Sequence, residues 1–123
     1  MTDPDFILLY VESPAASATF YADLLGKPPV DSSPNFVMFV LGSSVKLGLW
    51  ARHDVAPAAT VGAGGGELAF TLPDAATVES THLDLKRRGL RIVQAPVSLD
   101  FGHTFVALDP DGHRLRFFAP AAR

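Results

Sequence analysis

Hydrophobic and polar positions fall into the same pattern twice along the chain. Residues 6–11 (FILLYV) are a short apolar run rich in strand formers, which predicts a strand. Ser13 followed by Pro14 reads as a helix N-cap with proline at the first helical position. Over residues 15–25, Ala16, Phe20, Tyr21, Leu24 and Leu25 recur at helical spacing, and Gly26 ends the pattern. Pro28-Pro29-Val30 predicts an extended segment at a sheet edge, because proline has no N–H to give to a ladder. Residues 35–41 and 44–50 read as two strands joined by a Gly42-Ser43 hairpin turn.

The second half repeats this order. Residues 67–72 (ELAFTL) predict a strand, Asp74 caps a helix over 75–88, and Gly89 stops it. Residues 90–97 are extended, with Pro96 marking another edge. Residues 103–108 and 113–118 form a final strand pair across Asp109-Pro110-Asp111-Gly112, where proline presets the turn and the aspartates and glycine suit the rest of it. Each half is thus strand, helix, strand, strand, strand, and Phe6 aligns with Glu67 and Ser13 with Asp74 at one constant offset. The expected organisation is a first module over 5–51, a linker over 52–65 and a second module over 66–119. The linker runs into Gly62-Ala-Gly-Gly-Gly, and no glycine-lysine phosphate-loop signature follows it, so it reads as a hinge.

Composition narrows the chemistry. A length of 123 residues with 48% hydrophobic and 19% charged residues suits one compact globular domain. The net charge of −3 offers no nucleic-acid footprint, and the basic cluster Lys86-Arg87-Arg88 suits a helix C-terminus. With no cysteine, disulfides, thiol catalysis and thiolate metal sites are excluded. The first ten residues carry no basic leader, and no apolar run reaches the ~20 residues of a membrane span, so a cytoplasmic protein is expected. No Ser, His and acid occur at a spacing that suggests a triad, and no catalytic residues are expected.

Tyr10-Val11 and Ser13, then Thr19-Phe20-Tyr21 with Leu24-Leu25-Gly26, and Leu108-Asp-Pro-Asp-Gly-His113 with Leu115, resemble the vicinal oxygen chelate superfamily over almost the whole chain. That superfamily includes glyoxalases, extradiol dioxygenases and bleomycin-binding proteins. Phe101-Gly-His-Thr-Phe, Trp50 and the short length look most like its phenazine-resistance type of drug-binding protein. The resemblance implies an α+β fold of two βαβββ modules, each curling a mixed sheet into a U-shaped trough with its helix outside. Strand alternation then sends Leu47, Leu49, Leu115 and Phe117 to the helix side. It sends Phe6, Leu8, Tyr10, Lys46, Gly48 and Trp50, with Glu67, Ala69, Thr71, Thr104, Val106, Leu108, Arg114, Arg116 and Phe118, to the trough.

Metal-dependent members of the superfamily carry His, Glu or Gln at four positions that here read Phe6, Gly48, Glu67 and Arg116. Only Glu67 is a ligand type, and Arg116 opposes a dication, so no metal and no cofactor are expected. Arg116 and Glu67 are expected to pair. His53 falls in the linker, His82 on the second helix, His113 at the last turn, and His103 at a cavity mouth.

The expected ligand-binding residues are therefore Phe6, Tyr10, Phe36, Trp50, Glu67, Phe101, His103, Arg116 and Phe118, with Phe20, Phe39, Phe70 and Phe117 left to the core. Such a set suits a small planar aromatic compound, held by stacking and by pairing of Arg116 with a carboxylate. The expected function is metal-free drug sequestration by a homodimer, without nucleic-acid or membrane partners. A metal-dependent lyase, isomerase or dioxygenase using Glu67 is the alternative reading, and an accessory module with a self-filled trough is a third.

Overall fold

The structure is a computed structural model, and it describes residues 1–121. The chain divides into two compact units, Met1–Gly62 and Ala63–Arg123. Unit 1 contains β1 (Phe6–Val11), α1 (Pro14–Leu25), β2 (Asp31–Ser32), β3 (Phe36–Val40) and β4 (Lys46–Ala51). Unit 2 contains β5 (Glu67–Thr71), α2 (Ala75–Arg87), β6 (Arg91–Leu99), β7 (Gly102–Leu108) and β8 (Arg114–Pro120).

The sheets share one topology, β1-β4-β3-β2 in unit 1 and β5-β8-β7-β6 in unit 2. In each, the first strand pairs in parallel with the last, and the other pairings are antiparallel. This is the expected α+β repeat.

Local chemistry sets the helix ends. The Ser13 hydroxyl accepts a hydrogen bond from the Ala16 amide at 3.1 Å, and Pro14 occupies the first turn. Gly26 closes α1 in the left-handed region, at φ 69°, a conformation that favours glycine. In α2 the Asp74 carboxylate accepts from the Thr77 amide at 2.8 Å and from its hydroxyl at 2.6 Å. At the other end Arg87 and Arg88 pair with Asp84 at 3.5 and 3.1 Å, on top of the dipole role expected for the cluster. Each helix covers one face of its own sheet. Tyr21, Val37, Phe39, Leu47 and Leu49 form the core of unit 1, and Val78, Leu85, Phe105, Leu115 and Phe117 that of unit 2. Phe117 is sandwiched between the parallel rings of Phe70 and Phe105, at centroid distances of 4.6 and 4.9 Å.

Three boundaries differ from the sequence reading. The β3–β4 connection is a 3-10 turn over Gly42–Ser44, longer than the expected Gly42-Ser43 turn, with Ser43 and Ser44 both at positive φ. It is closed by the Leu41 amide donating to the Val45 carbonyl at 2.7 Å. Strand β2 begins at Asp31, after the two prolines, with Val30 already donating to Met38 at 2.8 Å. Strand β6 runs on to Leu99, two residues past the expected end, and tolerates Pro96 because register shifts flank it on an edge strand. Among the described residues no helix is long and apolar enough to cross a membrane.

Candidate functional site

The sheet face of unit 1 turned away from α1 carries Phe6, Leu8 and Tyr10 from β1, Lys46, Gly48 and Trp50 from β4, and Phe36, Met38 and Val40 from β3. Register places Tyr10 beside Trp50, and their rings meet edge to face at 6.2 Å. Phe6 lies 6.4 Å from Phe36, with the Lys46 ammonium 5.7 Å from the Phe6 ring. Phe6, Leu8 and Tyr10 remain 40%, 45% and 37% exposed, so this apolar face is not buried by the protein's own packing. Gly48 is the floor of the face. A Cβ there would stand 2.6 Å from Phe36 Cζ and 2.8 Å from Leu8 Cδ2, so those two side chains occupy the space that a side chain at 48 would need.

The corresponding face of unit 2 is polar at its centre. Arg116 donates to Glu67 through Nε at 2.7 Å and Nη2 at 3.0 Å, a bidentate pair. Its Nη1 donates to Gln94 Oε1 at 3.3 Å and to Thr104 Oγ1 at 3.2 Å. The Thr104 hydroxyl in turn donates a hydrogen bond to the Phe117 carbonyl at 2.9 Å. Phe101 covers the guanidinium at 5.6 Å and meets Phe118 edge to face at 5.8 Å. Hydrogen bonding to Arg116 holds the Glu67 carboxyl below its usual range, partial burial opposes this, and the charges of Arg116 and Arg114 reinforce it. The expected pairing of Arg116 with Glu67 is thus present. It commits the guanidinium that the sequence reading had offered to a ligand carboxylate.

His103 does not join Phe101 and Arg116, and the expectation that it stands at the same rim is corrected. It alternates with Thr104 along β7, so it shares the α2 side of the sheet with Phe105 and Ala107. There its Nε2 lies 2.5 Å from Glu79 Oε2 on α2, and its Nδ1 lies 3.0 Å from Ser98 Oγ on β6. A Ser, a His and a carboxylate therefore do converge, although no spacing in the sequence announces it. The signal was the Asp100-Phe101-Gly102 turn, which sets Ser98 opposite His103 once β6 is extended past Val97. His82 packs edgewise on Phe105 at 5.3 Å, His53 is exposed beside Asp54, and the His113 amide donates to Asp109 in the last turn.

Residues 4–117 match the Glyoxalase/Bleomycin resistance protein/Dioxygenase superfamily. The chain belongs to that superfamily. Over 116 residues it is 28% identical to the phenazine antibiotic resistance protein EhpR of Enterobacter agglomerans, an alignment spanning 92% of this chain and 88% of that protein. A protein of Agrobacterium tumefaciens solved by NMR in solution is 52% identical, with a TM-score of 0.91 over 99% of this chain and 100% of the other. A glyoxalase-related enzyme of Fulvimarina pelagi shares the fold, with a TM-score of 0.83 at 21% identity over 97% and 88% of the two chains.

Divalent metals serve many members of this superfamily, and the residues here do not fit one. Phe6 has no donor, Gly48 is overlaid by Phe36 and Leu8, and both oxygens of Glu67 accept from Arg116. Among the described residues no group of three or more His, Cys, Asp or Glu could hold a metal ion.

Proposed function

We propose that the chain is a binding protein for a small planar aromatic compound, of the phenazine kind, that acts by sequestration. The observation that carries this reading is the row of exposed Phe6 and Tyr10 with half-buried Trp50 and Phe36 beside them, on one sheet face of unit 1. An apolar aromatic face left open to water is a stacking surface for a flat ring system. The 28% identical relative is named for resistance to a phenazine antibiotic, which is consistent with that ligand class.

Protection by such a protein follows mass action. The free drug falls only while binding sites outnumber drug molecules, so expression must match drug load. The working unit proposed is a homodimer acting in the cytoplasm on drug that has entered the cell. The direct test is equilibrium dialysis of metal-stripped protein against a phenazine carboxylate, followed by release in denaturant and mass analysis. Retention of the compound with its mass unchanged supports sequestration. Retention only after a divalent ion is restored, or recovery of a converted product, replaces it with the metal-dependent enzyme reading. Sedimentation equilibrium tests the dimer separately.

A further inference from the structure

The geometry points to a second site, on the α2 side of the unit 2 sheet, at which Ser98 is an activated nucleophile toward small acyl esters. Three features build it. Register pairs Ser98 with His103 across the β6–β7 hairpin, which puts both side chains on one face, with Ser98 Oγ 3.0 Å from His103 Nδ1. On the far side of the ring His103 Nε2 meets the Glu79 carboxylate at 2.5 Å. An ionised carboxylate can only accept, so Glu79 fixes the ring proton on Nε2 and leaves the Nδ1 lone pair facing the serine hydroxyl. Nucleophile, base and an acid that orients the base are the parts an acyl-transfer site needs.

The third feature is room for a substrate. Ser98 and His103 line an open cavity of about 420 Å³, walled by Pro73, Asp74 and Ala75 at the start of α2 and floored by Gly102. Gly102 cannot carry a side chain there, because its φ is 151° and a Cβ would lie 2.0 Å from the Ala119 carbonyl oxygen. The Asp74 carboxylate is turned onto Thr77, while the amides of Ala75 and Ala76 belong to the opening turn, which has no helical acceptor. A carbonyl oxygen seated at that wall meets the positive end of α2 as it gains charge. His103 is 22% exposed, which partly shields the ring from bulk water, while Glu79 is 54% exposed.

The chemistry balances with water as the co-reactant. Ser98 Oγ bonds to the ester carbonyl carbon while its proton passes to His103 Nδ1. The ester C–O bond then breaks, and His103 returns that proton to the departing alcohol. Water, activated by the same nitrogen, adds to the acyl-serine, releasing the carboxylic acid and restoring the Ser98 hydroxyl. Glu79 faces the transient imidazolium throughout. The site is independent of the aromatic face proposed to bind drug.

The test uses the full chain with p-nitrophenyl acetate and a small fluorophosphonate. One phosphonate per chain should map to Ser98, and ester turnover should fall about a hundredfold or more in Ser98→Ala and in His103→Gln, the usual scale of a lost nucleophile or base. Glu79→Gln should lower turnover less and shift its pH profile. His53→Gln, at an exposed loop histidine, should leave it unchanged and so reports any general imidazole hydrolysis. Ser98 is exposed, so its alanine variant retains the fold, verifiable by circular dichroism. Turnover in Ser98→Ala equal to that of the unaltered chain, or phosphonate absent from Ser98, overturns the assignment.

Discussion

The two sheets of this protein have the same strand order and, over β1-β4-β3 and β5-β8-β7, the same register, yet the faces they turn away from their helices hold opposite chemistry. Gly48 stands opposite Leu8 in unit 1 as Arg116 stands opposite Ala69 in unit 2. Phe36 pairs with Trp50 as Thr104 pairs with Phe118. One unit places no side chain at the first of these sites and a large ring at the second. The other places a guanidinium at the first and a small hydroxyl at the second, and the two touch at 3.2 Å. The volume is exchanged between neighbouring strands while the backbone stays constant. Core and turn residues therefore maintain the repeat, and the outward faces are free to diverge into an aromatic surface and a fixed ion pair.

The largest effect that would break this comparison comes from Arg116→Ala. It removes the donor to Glu67, Gln94 and Thr104 at once, and urea unfolding should show a loss of about 2–3 kcal/mol, the scale of charge-assisted hydrogen bonds. A loss below a few tenths would show the network to be solvated and inert. Next comes Gly48→Ala, which forces a Cβ against Phe36 and Leu8 and should cost about 1–2 kcal/mol by overpacking. Adding Phe36→Ala should recover part of that cost, giving a coupling in a double-mutant cycle. Strict additivity would refute the proposed exchange of volume.

The helix caps sharpen the comparison at a smaller scale. Ser13→Ala removes one hydrogen bond and should cost about 1 kcal/mol. Asp74→Ala removes two and should lower the unfolding midpoint further. The smallest effect is in pH. The Glu67 carboxyl is lowered in the folded state, so its contribution is complete above the unfolded value of about 4.3 and fades as pH falls through the folded value. The stability gap between the unaltered chain and Glu67→Gln should therefore be constant from neutral pH to about 5 and close in more acidic solution.

The scaffold was legible in the sequence because its signals are local. Ser13-Pro14, Asp74, Gly26 and Gly89 mark helix ends within a few residues, and the alternation in β4 and β8 gives their two faces directly. The Glu67–Arg116 pair was legible through the family resemblance, whose metal positions place these two residues of distant strands at one site. What was not legible needed exact strand ends and turn geometry. Ending β6 at Val97 left Ser98 outside the ladder, and placing His103 at the rim overlooked that β7 alternation turns it away from Thr104. Gly48 read as a missing metal ligand, and only the positions of Phe36 and Leu8 show that its place is filled. These contacts arise across strands, where no single stretch of sequence carries the pattern.

The central claim is that the aromatic face of unit 1 binds a flat ligand without a metal, and Trp50, the single tryptophan of the chain, reports on it directly. The measurement is the quenching of its fluorescence by a phenazine carboxylate in protein stripped of divalent ions with EDTA. The account predicts saturable quenching that is unchanged when Zn²⁺ or Mn²⁺ is restored and weakened by Tyr10→Ala. Quenching that never exceeds the collisional effect on free tryptophan, or that appears only with the added ion, would contradict it.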